Sequence, residues 1–168
     1  APRVASLGEL VERVQDCARA AALATRAELA IDRRPGYRDM RNNMTLAHAF
    51  GEALAGLGRH AAADDADLGA GSTDMGDLAQ VMPIIHPYVG GARGTPHGAD
   101  YEIVDPALTY LTNAKALASM VVDLLADGAA VGRQVVAQAK PPLTRQAYLD
   151  FQRRISRRET YDGAGSES

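Results

Sequence analysis

Cysteine is nearly absent: Cys17 is the only one in 168 residues. That excludes an internal disulfide and every cysteine-based zinc cluster, and it fits a reducing, cytoplasmic compartment. Long apolar runs are missing too. None approaches the roughly 20 residues that a membrane-spanning helix needs, and no charged region leading into an apolar stretch and cleavage site is visible. Neither sign of charge dominates. The formal net charge of -3 favours neither nucleic acid nor an anionic membrane as partner; "RQAYLDFQRRISRR" is basic only locally. Several catalytic motifs are also absent. There is no HExxH or HxxEH, no GxSxG elbow, no lysine at the P-loop position of "GAGSTDMG", and no GxGxxG after a strand. Nor is there an initiator Met before "APRVAS", where a helix begins almost at once. The expectation is a segment of a longer chain.

What is present reads as an ordinary globular chain, with 46% hydrophobic and 23% charged residues. Its length suits one compact domain, or two small pieces sharing a core. Ser6 and Glu9 form a capping box, and Leu7, Leu10, Val11, Val14, Cys17, Ala18 and Ala21 follow helical spacing. A helix over residues 7–25 is predicted, with Cys17 a buried, inert thiol on its apolar face. "RAELAID" alternates as a half-buried strand ended by the turn signal "RRPGY". Helix followed by strand is the second half of a small α+β layer, whose opening strands are expected upstream of Ala1. Asn42 or Asn43 caps a second helix bearing Leu46, Phe50, Leu54 and Leu57, ended by Gly58. His48 points away from that face, and His60 borders an Asp-rich solvated connection. A short helix starts near Asp74, and Pro83 and Pro87 bracket an edge-strand candidate. Asp105 and Pro106 open the longest helix, with Leu108, Leu111, Ala114, Ala118, Val121, Val122 and Leu125 as its core stripe, Met120 near it, and Gly128 as its stop. Thr144 caps a last helix, and "DGAGSES" reads as a frayed tail.

The chemistry-bearing residues gather between Gly71 and Pro106. His97 stands in a Gly/Pro-rich loop before an extended segment and a capped helix, the usual placement of a functional loop on a rigid scaffold. On spacing alone, a lone loop histidine is more often a surface residue. Gly71, Ser72, Thr73 and Asp74 form a turn whose amides and hydroxyls could bind an anion or carboxylate; the competing reading is a helix cap. His86 in "IIHP" either faces a pocket or packs on a neighbour.

Taken in order, "GSTDMGDLAQVMPIIHPYVG", "GTPHGADYEIVDP" and "LTYLTNAKALASMVVDLL" resemble the C-terminal part of the dinuclear-zinc aminoacylase/carboxypeptidase family, in particular amidohydrolases similar to p-aminobenzoyl-glutamate hydrolase and the β-alanyl-lysine-type dipeptidases. "GELVERVQDCARAAALATRAELAIDRRPGYRDMRNN" resembles the closing helix and strand of that family's lid. The resemblance covers about residues 3–128. It implies an α/β fold: the C-terminal half of a zinc-peptidase-like catalytic domain over 41–168, and a remnant of an α+β lid, often a dimerisation domain, over 1–40. It implies two divalent metal ions, zinc, in the complete enzyme, with His97 as one ligand and Tyr101 the aromatic four positions later. Gly71, Ser72, Thr73 and Asp74 inherit a substrate-facing role, and Asn42 or Asn43 matches an asparagine near the substrate carboxylate. The remaining ligands and the general-base glutamate belong to an N-terminal half that this chain lacks, and Ala79 replaces a serine common in relatives. The implied reaction is hydrolysis of an amide bond next to a free carboxylate, on a small amide or dipeptide, by a homodimer. The isolated chain is expected to be inactive. The alternative is a non-catalytic binding or dimerisation module derived from the same family.

Overall fold

The computed structural model describes residues 4–60 and 73–165, which divide into two compact units. Of the described residues, the first unit takes 4–40, 73–81 and 141–165, and the second 41–60 and 82–140.

In the first unit, helix α1 spans Val4–Thr25 and strand β1 spans Glu28–Arg33. α1 starts ahead of the Ser6–Glu9 capping box and closes through Arg26, whose φ of 54° lets the Ala27 amide reach the Ala22 carbonyl at 3.0 Å. In β1, Leu29 and Ile31 are half-buried and alternate with exposed neighbours, as the sequence pattern requires. Its partner comes from the far end of the chain. Strand β4, Arg157–Asp162, pairs antiparallel with β1 in the register Glu28↔Asp162 to Arg33↔Arg157. A strand was not foreseen there; among the described residues it is the one that pairs with β1. β4 alternates half-buried Glu159 and Tyr161 with exposed residues, and Glu159 accepts a hydrogen bond from Arg19 of α1. That contact and the Asp16 carboxylate hold the half-buried Arg19 guanidinium above its ordinary pKa.

The face of α1 is also rotated from expectation. Gln15 and Ala22 are buried, while Leu10, Val14 and Leu23 are exposed and Cys17 is exposed rather than buried. Helical spacing placed the apolar residues together, but the β1–β4 sheet meets a neighbouring face. Helix α5, Arg145–Ile155, is capped by Thr144, whose hydroxyl accepts from the Ala147 amide at 3.1 Å. The expected cap therefore holds.

The second unit has its core between helix α2, Met44–Gly56, and helix α4, Asn113–Gln138. Phe50 and Ala53 of α2 pack with Ala116 and Met120 of α4, flanked by Leu54, Ile85, Val89 and Leu124. Asn43 caps α2: its Oδ1 accepts from the Leu46 amide at 3.0 Å. Gly58 takes φ 72° and ends it, its amide bonding the Ala55 carbonyl. Asn43→Ala is expected to cost about 1 kcal/mol, measurable as a lower thermal midpoint with unchanged helical content.

The long helix is entered as expected, with Asp105 Oδ1 accepting from the Leu108 amide at 2.9 Å. Its first turns, Ala107–Thr112, are wound as a π-helix. Residues 126–129 leave helical geometry, with Gly128 at φ 66°, so α4 is two helical pieces divided where a stop was expected. The core stripe differs. Val121 is 50%, and Val122 and Leu125 each 65%, exposed, whereas Ala116 and Met120 are buried. α2 covers the strip of 116, 120 and 124 and not the one inferred from the sequence.

Candidate functional site

Thr73 and Asp74, in the first unit, enter the short helix α3, Met75–Leu78. The Thr73 hydroxyl accepts from the Met75 amide at 3.4 Å, and its carbonyl accepts from the Gly76 amide at 3.0 Å. In the described half of the turn, the hydroxyl and carbonyl thus serve as a cap. Gly71 and Ser72 lie outside the described residues.

What anchors α3 is the segment at Arg38 and Asp39. The Arg38 amide donates to Asp77 Oδ1 at 3.2 Å. Gln80, 1% exposed, donates its Nε2 to the Asp39 carbonyl at 2.9 Å and to the Gly76 carbonyl at 3.0 Å. A buried amide so bonded is a fixed clamp, since losing a partner would strand a polar group. Sequence reasoning missed Gln80; the available signal was a glutamine amid the apolar residues of "LAQVM". The Arg38 guanidinium lies 3.8 Å from the Phe151 ring centre, stacked as a cation over a π face. Beside it a groove of about 550 Å³ runs between α1, the end of β1 and α5, with Leu10, Val14 and Ile155 in its walls. At its edge Asp32 is held below the usual carboxylate range, chiefly by its hydrogen bond from Arg34.

The remaining candidates lie in the second unit. Asn42 pairs with Ile84 in an isolated parallel bridge, the only ladder contact that the Pro83–Pro87 stretch makes among the described residues. Asn42 Oδ1 accepts from the His86 amide at 3.2 Å, and the Asn43 amide donates to the Ile84 carbonyl at 2.8 Å. Adjacent asparagines thus do different work, one holding the His86 segment and the other capping α2. The His86 ring rests 5.4 Å from that of Tyr88, tilted by 48°, so it packs on a neighbour. No spacing rule links Asn42 to His86, which lie 44 residues apart.

His97 sits at the tip of a small hairpin formed by strands β2, Ala92–Arg93, and β3, Glu102–Ile103. It is exposed, with φ 65°, a left-handed conformation uncommon outside glycine. Asp100 braces the tip, its Oδ2 accepting from the Thr95 amide at 3.2 Å. Gly91 closes the base: at φ 102°, its carbonyl accepts from the Val104 and Asp105 amides. Tyr101 is half exposed. His48 and His60 are exposed. Among the described residues no three His, Cys, Asp or Glu side chains gather into a group that could hold a metal ion. The donor set of these residues does not by itself fit a dinuclear centre, which needs several ligands per ion. No described helix is long and apolar enough to cross a membrane.

Comparison with known proteins gives these residues a context. Over 133 residues, 74% of this chain, the sequence is 35% identical to the mouse Xaa-Arg dipeptidase. The human Xaa-Arg dipeptidase is 33% identical over 135 residues, again 74% of the chain. This chain is similar to a segment of a dipeptidase. It spans only about a third of those relatives, 31% of the mouse protein and 30% of the human one. The likeness supports a dipeptidase or amidohydrolase family without selecting a member of it. No protein-family profile matches the chain, and no solved structure does.

Proposed function

We propose that these residues are the C-terminal segment of a cytoplasmic, homodimeric, metal-dependent dipeptidase or amidohydrolase that cleaves an amide bond next to a free carboxylate. The observation that carries this reading is the 35% identity to the mouse dipeptidase across 74% of the chain. On this reading 1–40 derive from a lid and 41–168 from half of an α/β catalytic domain. The substrate class is a small dipeptide, with the arginine-ended dipeptides in the relatives' names as first candidates. Asn42 and Asn43 both suit the substrate's carboxylate on chemical grounds: each accepts a backbone amide through Oδ1, which leaves Nδ2 as the donor that a carboxylate needs. Gly71, Ser72, Thr73 and Asp74 form the substrate-facing turn. His97, exposed on its hairpin tip, offers one imidazole to a zinc pair whose other ligands, with the general base, come from outside these 168 residues.

Two measurements test this. The isolated chain is expected to bind zinc more weakly than micromolar in calorimetry; tighter binding overturns the half-site reading. In the complete protein, His97→Ala is expected to lower bound metal and abolish dipeptide hydrolysis. Unchanged metal content by elemental analysis overturns the ligand assignment. A non-catalytic binding module is the second reading, favoured by the open apolar face of α4; hydrolysis by the complete protein would dismiss it.

A further inference from the structure

Tyr88 is 82% exposed, more than any other large apolar side chain among the described residues. A single exposed tyrosine is ordinary; its setting here is not. The backbone that carries it is pinned on both sides. Upstream, Asn42 Oδ1 accepts from the His86 amide at 3.2 Å, and the Ile84 carbonyl accepts from the Asn43 amide at 2.8 Å. Downstream, the Gly90 carbonyl accepts from the Thr109 hydroxyl at 3.1 Å. Ile85 and Val89 pack against the core of the second unit, which leaves Tyr88 on the open side. There its ring meets that of His86, with centroids 5.4 Å apart. The result is an open aromatic surface on a fixed strip of chain. Such a ring loses little conformational freedom when a ligand covers it.

We infer that Tyr88 selects an arginine side chain at the substrate's carboxyl end, its ring face taking the guanidinium. The inference rests on the dipeptidase reading and assigns that reading's substrate preference to one residue. Two observations carry it. The first is chemical. A planar guanidinium is drawn to the negative face of an aromatic ring and stacks on it, and the Tyr88 ring is open to receive one. The second is placement. Asn42, whose Nδ2 is the donor proposed for the substrate's carboxylate, is bonded to the His86 amide, and Tyr88 follows two residues later. Two peptide steps span at most about 7 Å. An extended arginine holds its guanidinium about 7 Å from its own carboxylate. One residue of substrate therefore has the length to run from the asparagine amide to the ring. A neutral side chain of the same length would gain only apolar contact there.

The test compares two dipeptides that differ in charge, Xaa-arginine and Xaa-citrulline, as substrates of the complete protein. Citrulline keeps the length and planarity of the arginine end and lacks its charge. In the parent, kcat/KM is expected to favour arginine. Tyr88→Leu keeps apolar bulk and removes the π face. It should raise KM for the arginine dipeptide about three- to tenfold, with kcat nearly unchanged and KM for the citrulline dipeptide unmoved. Tyr88→Phe should retain the preference, because the ring face remains. Neither variant should shift the thermal midpoint, since the side chain is open to water. An arginine preference that survives Tyr88→Leu overturns the inference. So does an equal loss on both dipeptides, which a merely structural role would give. A binding measurement separates the inference from the reading beneath it. Millimolar N-acetyl-arginine, added to the 168-residue chain, is expected to shift the Tyr88 and His86 ring signals in NMR, and N-acetyl-citrulline to leave them in place. Equal responses, or none, overturn the inference. Arginine-selective shifts without hydrolysis by the complete protein leave the guanidinium contact standing and remove the dipeptidase reading. Hydrolysis with no arginine preference does the reverse.

Discussion

Phe50→Ala is expected to cost the second unit about 3–5 kcal/mol, enough to melt it near physiological temperature. Phe50 is 4% exposed and sits where α2 meets α4, against Ala53, Ala116 and Met120. Its neighbours are small or already packed, so collapse around the lost ring would be incomplete and a cavity would remain. Thermal denaturation and amide exchange along α2 and α4 would read the loss. The informative control is Leu125→Ala. Periodicity put Leu125 in the core stripe, but it is 65% exposed. Its truncation should cost less than about 1 kcal/mol, since only surface still hidden from water contributes. A large loss at Leu125 with a small one at Phe50 would reverse the assignment of α4's buried face.

Gly76→Val is the second large effect, expected at about 2–3 kcal/mol. A Cβ at Gly76 would overlap the Arg38 carbonyl oxygen and lie 2.9 Å from its carbonyl carbon. Backbone cannot step aside as the end of a flexible side chain can. Relief would require moving the 38–39 segment, breaking the Arg38–Asp77 and Gln80–Asp39 hydrogen bonds that hold α3. Loss of amide protection at Arg38 together with a lower melting temperature would register both. Gly51 offers the opposite case. It lies inside α2 with open space where a Cβ would go, so Gly51→Ala should add about 0.5–1 kcal/mol through helix propensity. If both glycines respond alike, the close approach at Gly76 is not real.

Much of the local framework was legible because local chemistry decides it. Asn43, Asp105 and Thr144 cap their helices as their side chains require, and Gly58 and Gly128 interrupt helices where positive φ is needed. The His97 loop was legible as a Gly/Pro-rich loop ahead of an extended piece, but the pairing of Ala92–Arg93 with Glu102–Ile103 was not. Less accessible was the candidate site's supporting chemistry. Gln80 reaches Asp39 across 41 positions, and His86 bonds Asn42 across 44. Nothing in the spacing of either pair announces a contact, because each depends on where distant segments come to lie.

The sequence by itself determined where the helices capped by Asn43, Asp105 and Thr144 begin, where Gly58 and Gly128 interrupt helices, and which strand alternates. These follow from backbone dihedral preferences and from hydrogen bonds made within a few residues. Only the tertiary structure decided that β1 pairs with Arg157–Asp162, that Cys17 is exposed, and which strip of α4 is buried. A helix apolar on two sides has equivalent burial choices until a partner occupies one. A strand's edge likewise accepts whichever distant segment the packing delivers.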